Sequence, residues 1–226
     1  MEPAPIIVPL DGMAEGEALA LARRLAGMVW GFKVNDLLSR VGREVVPRLK
    51  GYGKVFCDPK LHDIPNTVAN QIRVFEEAGA DLITLHCSGG LTMLRAAREA
   101  RAETARLLGV TVLTAMPEAD VARVYGRSTE EAVNGMVATA LEASLDGIVC
   151  SPRELEVVGR ADPEHRLLRV TPGVRPSWAA GTDDQQRVLT PLLAKQRGAD
   201  LLVIGRPITA ADDPAAACRR IAKELL

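Results

Sequence analysis

Short apolar runs alternate with helical stretches along the whole chain. Ile6-Ile7-Val8-Pro9-Leu10 is a compact apolar run closed by Asp11-Gly12. From Gly16 to Leu25, Ala18, Leu21, Ala22 and Leu25 recur at helical spacing. Met28 to Val34 is a second apolar run with Lys33 near its end, and residues 36–49 return to helical periodicity. Lys54-Val55-Phe56-Cys57-Asp58 is the third run. The period then switches back and forth: a helix over 68–78 with Gly79 as its stop, a strand over 81–86, a helix over 91–103, and a strand over 107–114. A looser stretch surrounds Pro117 before a helix over 130–144, and a strand over 147–150 follows. Pro152 is expected at a helix start, with a strand over 167–171 after it. A polar loop over 172–184, a helix over 186–196, a strand over 199–204 and a last helix opened by Asp212-Asp213-Pro214 complete the chain.

Eight short strands that are apolar on both faces, each followed by a helix, fit a fully covered parallel sheet. A doubly wound open sheet and a closed barrel both suit such alternation. The count of eight, with no Gly-x-Gly-x-x-Gly after the first strand, favours an α/β fold of the (β/α)8 TIM-barrel type, a single domain over residues 1–226. No linker, low-complexity segment or sequence repeat of fixed period interrupts it.

Composition narrows the partners. The chain is 47% hydrophobic and 25% charged, and its 28 basic and 29 acidic residues nearly cancel. That balance gives no general field for nucleic acid or an anionic membrane. Cys57, Cys87, Cys150 and Cys218 are scattered, without metal-ligand spacing to the three histidines, and read as buried thiols of a reducing compartment. With no secretory pattern at the N-terminus and no run long enough to span a bilayer, a cytoplasmic location is expected.

The candidate chemistry falls at strand ends, which closure of a barrel brings to one rim. Asp11, Lys33, Asp58, Lys60 and Asp63 form one alternating acid–base set. Phe56 to Thr67 concentrates it, ending in Pro65 with Asn66 or Thr67 offered as a helix cap. Such a set is either a solvated loop with an ion pair worth about 0–1 kcal/mol or an active-site network. Arg175, Gln185, Gly205 and Arg206, after strands seven and eight, form a second set where such barrels often hold phosphate. His62, inside the charged motif, suits a structural hydrogen bond better than a ligand or base. Trp178, in the polar loop, is placed to cover a ligand.

Asp58-Pro59-Lys60-Leu61-His62-Asp63-Ile64-Pro65-Asn66-Thr67 resembles the Asp-x-Lys-x-x-Asp-Ile-Pro-x-Thr signature of the orotidine 5′-phosphate decarboxylase family. The likeness runs through Leu10-Asp11, Phe32-Lys33-Val34, Leu113-Thr114, residues 146–151, Val170 to Arg175, Asp184-Gln185 and Val203 to Thr209. It implies cofactor-independent, metal-free decarboxylation of orotidine 5′-phosphate to uridine 5′-phosphate in pyrimidine biosynthesis. Lys60 would protonate C6, with Asp58, Asp63 and Lys33 completing the charged network. Asp11 and Lys33 would bind the ribose, and Thr114 the pyrimidine. Ile64 and Pro172 would add substrate contacts. Arg175, Gln185, Gly205 and Arg206 would grip the phosphate, with residues 176–184 closing over it. In a homodimer, Asp63 and Thr67 would complete the partner's site. The resemblance also covers metal-dependent phosphosugar enzymes that share Asp-x-Lys-x-x-Asp.

Two departures stand out. Pro59 replaces the usual leucine between Asp58 and Lys60, and Asn35 replaces a glycine, a position suited to left-handed φ.

Overall fold

The computed structural model describes residues 2–102, 104–179 and 189–225. Eight parallel strands pair in sequence order, and β8 closes back on β1. They are β1 (Ala4–Pro9), β2 (Val29–Val34), β3 (Lys54–Leu61), β4 (Leu82–His86), β5 (Arg106–Val110), β6 (Gly147–Val149), β7 (Leu168–Thr171) and β8 (Leu201–Val203). The helices α1 (Glu15–Leu25), α4 (Pro65–Glu77), α5 (Gly90–Ala100), α7 (Thr129–Glu142), α8 (Leu155–Ala161), α9 (Pro191–Gln196) and α11 (Pro214–Glu224) lie between and after them.

The strands serve two cores. Ile7, Phe56, Leu82, Leu108, Val170, Leu201 and Val203 fill the barrel interior. The alternate positions, including Val8, Val55, Cys57, Ile83 and Leu202, pack outward against the helices. This two-faced burial is why the strands read as continuous apolar runs. All four cysteines are buried free thiols, and burial pushes those of Cys57, Cys87, Cys150 and Cys218 up to about 12.

Several boundaries differ from the periodicity. The predicted 36–49 helix is two, α2 (Asp36–Val41) and α3 (Val45–Lys50), because Gly42 turns the chain at φ 85°. The stretch around Pro117 holds α6 (Glu118–Tyr125), and Gly205 leads into the short α10 (Arg206–Thr209). Pro152 precedes α8 by a turn and does not open it. α4 begins at Pro65 with Ile64 as its uncapped N-cap, so neither Asn66 nor Thr67 is the cap. β5 stops at Val110, leaving Thr114 in the following turn. α9 starts at Pro191, with the earlier part of its predicted span outside the described residues.

Among the described residues, one device occurs three times at the N-terminal end of the barrel. Asp81, Asp146 and Asp200 stand immediately before β4, β6 and β8. Each donates its own N–H to the carbonyl of Val55, Leu107 or Arg169 on the preceding strand, at 2.8, 3.1 and 2.9 Å. Each carboxylate takes back the N–H of that same residue, at 2.8, 2.7 and 2.7 Å. The aspartates thereby lock neighbouring strands in register at the end where the ladder has run out. Gly79-Ala80-Asp81-Leu82 and Gly198-Ala199-Asp200-Leu201 are the same four residues, whereas Asp146 follows Ser144-Leu145.

Candidate active site

The opposite, C-terminal end carries the predicted acid–base set, and β3 is deformed to present it. β3 and β4 pair as Phe56↔Leu82 and Cys57↔Ile83, then resume at Leu61↔Leu85. Four steps along β3 thus face two along β4, which is a bulge. Pro59 sits inside it, where the ladder does not need its missing N–H. Lys60 follows with φ 50°, a left-handed conformation that costs a lysine roughly 1 kcal/mol or more.

Strand alternation puts Asp58 on the interior face above Phe56, and Thr84 above Leu82. Asp58 Oδ2 receives the Lys60 ammonium at 2.7 Å and the Lys33 ammonium at 3.2 Å. Lys33 also reaches Asp11 at 2.7 Å. The result is a continuous row, Asp11–Lys33–Asp58–Lys60, across the ends of three strands. Side-chain exposure is lowest in the middle and rises outward: 8% at Asp58, 11% at Lys33, 33% at Lys60 and 40% at Asp11. Lys60 is therefore the ammonium best presented to a ligand in the barrel mouth. Burial works against the charge of Lys33, but the carboxylates of Asp58 and Asp11 outweigh it and hold its pKa above the ordinary lysine value.

Two neutral side chains brace this row. The Thr84 hydroxyl, fully buried, donates to Asp58 Oδ1 at 2.8 Å and accepts the Lys60 backbone N–H at 2.9 Å. Asn35 donates its amide N–H to the Asp58 carbonyl at 2.6 Å and its backbone N–H to Asp11 Oδ1 at 3.2 Å. Its φ is −126°, so the left-handed role suggested for it is wrong; its side-chain amide and its backbone N–H each hold one carboxylate residue of the row. Thr84 was missed from the sequence. Its one signal is a lone hydroxyl inside the apolar Leu82-Ile83-Thr84-Leu85.

Asp63 does not join the row within this chain. It is exposed, and its Oδ1 accepts the N–H of Ile64 at 2.6 Å. Ile64 is 66% exposed and Thr67 half-buried at the start of α4. His62 and His86 approach with ring centres 5.5 Å apart. Burial, then His62 and Lys60, hold the pKa of His86 below the ordinary histidine value against the pull of Asp58.

On the β7–β8 side, Pro172 and Gly173 turn the chain out of β7, with Gly173 at φ 75°. Arg175 is buried, its backbone tied to Leu189 at 2.9 Å. A Cβ on Gly205 would lie 3.0 Å from Pro9 of β1, so glycine permits the close pass between β8 and β1. Arg206 beside it is exposed. Thr114 is half-buried in the turn after β5, and Gln185 lies outside the described residues, as does most of 176–184. Trp178 is anchored under the Arg220 guanidinium of α11, 4.5 Å from its ring centre. Among the described residues no three His, Cys, Asp or Glu side chains gather as a metal site. No described helix is long and apolar enough to cross a membrane.

Residues 4–221 match the family model described as orotidine 5′-phosphate decarboxylase / HUMPS family. Orotidine 5′-phosphate decarboxylase of Maridesulfovibrio salexigens is 42% identical over 97% of this chain and 98% of its own length. The Pseudomonas aeruginosa protein of the same name is 43% identical over 98% and 97%. The crystal structure of orotidine 5′-phosphate decarboxylase from Lactobacillus acidophilus superposes with a TM-score of 0.81 at 33% identity, covering 98% of this chain and 99% of that one.

Proposed function

Because the chain belongs to the orotidine 5′-phosphate decarboxylase / HUMPS family, and so is a carboxy-lyase that decarboxylates orotidine 5′-phosphate, we propose that Lys60 protonates C6 of the pyrimidine and that the protein's own charges replace any cofactor. The observation that carries this reading is the sharing of Asp58 by two ammonium groups at the barrel mouth, with Lys60 the more exposed.

Heterolysis of the C6–carboxylate bond releases CO2 and leaves an electron pair on C6 that the ring delocalises poorly. A fixed cation beside that carbon stabilises the developing charge. At about 4 Å and an effective dielectric near 20, one such interaction is worth on the order of 4 kcal/mol. Preorganised charge of this kind is commonly the largest catalytic contribution. The electron pair then takes a proton from Lys60 Nζ, giving the C6–H bond of uridine 5′-phosphate, and solvent reprotonates the amine. Asp58 keeps Lys60 and Lys33 oriented throughout.

Asp11 and Lys33 suit ribose hydroxyls, with acceptor and donor side by side. Ile64 and Thr114 suit the pyrimidine side. Pro172, Arg175, Gly205 and Arg206, together with Gln185, suit the phosphate, where backbone N–H groups and guanidinium forks can meet its oxygens. Remote phosphate binding supplies energy that orders the row around the reacting carbon. Exposure of Asp63 and Ile64 beside the row supports a homodimer in which Asp63 and Thr67 complete the partner's site.

The test is Lys60→Ala. We expect kcat for orotidine 5′-phosphate to fall by ~10³-fold or more with the far-UV spectrum and melting temperature preserved. Turnover within tenfold of wild type would remove Lys60 from the proton-transfer step.

A further inference from the structure

The row of charges is only as well placed as the bulge that carries it, and the bulge is intrinsically unstable. It interrupts the β3–β4 ladder between Cys57 and Leu61, contains Pro59, and holds Lys60 at positive φ. Left to itself such a segment relaxes, because a lysine has lower-energy conformations. Two side chains outside the proposed chemistry grip it from opposite flanks. From β4, Thr84 bonds both ends of the segment at once, the Asp58 carboxylate and the Lys60 backbone N–H. From the start of α2, Asn35 holds the Asp58 carbonyl.

We propose that Thr84 and Asn35 are positioning residues for decarboxylation, a two-sided clamp that fixes the Asp58–Lys60 bulge in its reactive conformation. The inference rests on the reading of Lys60 as the proton donor. A hydroxyl is required at position 84 because the group must donate to a carboxylate and accept from an N–H at the same time. Valine fills the same space and does neither. It leaves Asp58 Oδ1 short of a donor and frees Lys60 to leave its left-handed conformation. A misplacement of about 1 Å at a reacting group can cost about 10²-fold in rate.

Thr84→Val is therefore expected to lower kcat by about 10²-fold with KM for orotidine 5′-phosphate changed less than about threefold. Thr84→Ser, which restores the donor and acceptor, is expected to recover kcat to within a few-fold of wild type. Asn35→Ala, which removes the opposite jaw at a half-buried position, is expected to lower kcat by about tenfold with KM again nearly constant. A purely structural role predicts something else: lower melting temperatures with unchanged kcat in the folded fraction. Full kcat in Thr84→Val overturns the clamp while Lys60→Ala remains inactive and the proton-donor reading stands. Should Thr84→Val not fold, full kcat in Asn35→Ala, or failure of Thr84→Ser to approach wild-type kcat, overturns it. An active Lys60→Ala overturns the reading beneath it.

Discussion

At the N-terminal end of the barrel, Asp81, Asp146 and Asp200 each hold a neighbouring strand by its backbone; at the C-terminal end, Asp58 holds two lysines and a hydroxyl. Both ends bring acids and bases together, and both contain buried or half-buried carboxylates. The partners differ. The lower aspartates give an oxygen to a main-chain N–H, and Lys50, Lys54, Arg101 and the His165 ring are added around that bond. Removing the carboxylate there would strand a backbone donor of the sheet. Among the described residues, Asp58 accepts no backbone N–H on its carboxylate. Its carboxylate serves side chains alone, and its deletion would leave the ladder below it unchanged. Clustered charge thus marks register at one end and, on the proposed function, chemistry at the other, and the bonding partner tells them apart.

The same substitution should have different consequences at the two ends. Asp58→Ala should lower kcat by about 10³-fold, because two ammonium groups lose the anchor that orients them. Equal loss from Asp146→Ala in folded enzyme would contradict the division. Next in size, Arg206→Ala should reduce kcat/KM for orotidine 5′-phosphate by about 10²-fold, close to the 1.5–3 kcal/mol typical of hydrogen bonds to charged groups. Steady-state kinetics with phosphorylated and unphosphorylated nucleoside would separate this loss from a general defect. Asp146→Ala should instead destabilise by about 1–3 kcal/mol in urea unfolding with kcat unchanged, the cost of an unsatisfied backbone donor.

The smallest effect is in the pH dependence of stability, where the two ends should diverge in direction. Lys33 has a raised pKa in the fold, so its stabilising contribution is full below the ordinary lysine value and is lost as pH rises through the folded value. Burial pushes the Asp81 carboxyl up, but Lys50, the Val55 N–H and Lys54 together hold it below the usual range. Its contribution is present above an unfolded value of about 3.9 and is lost as pH falls through the folded one. Unfolding free energy measured across pH should show Lys33→Met flattening the alkaline decline and Asp81→Asn flattening the acid one. A Lys33→Met effect confined to acid would contradict the assignment.

Much of this was legible in the residues. The eight apolar runs gave strand number and order because strands covered on both faces have nothing polar to confuse the pattern. Each strand-end charge alone reads as a turn residue or a cap; the row Asp11, Lys33, Asp58, Lys60 was legible because closure of a barrel brings those ends to one rim. The clamp was not. Thr84 looks like any strand threonine, and only the doubled step of β3 brings its hydroxyl between Asp58 and the Lys60 N–H. Asn35 was noticed, but a side-chain bond to a carbonyl on the next strand leaves no local trace. The aspartate locks at the lower end were hidden for another reason. The local sequence recurs at Asp81 and Asp200 but not at Asp146, which sits in Ser144-Leu145-Asp146-Gly147, so no repeat emerges.

On the proposed function, protein charges alone, led by Lys60, carry the decarboxylation. The most direct measurement is the loss of orotidine 5′-phosphate absorbance with enzyme dialysed against EDTA and assayed in excess EDTA. The rate is expected to be undiminished and not raised by added magnesium. A rate abolished by chelation and restored by magnesium would contradict it, and would move the chain toward the metal-dependent phosphosugar enzymes that share its Asp-x-Lys-x-x-Asp core.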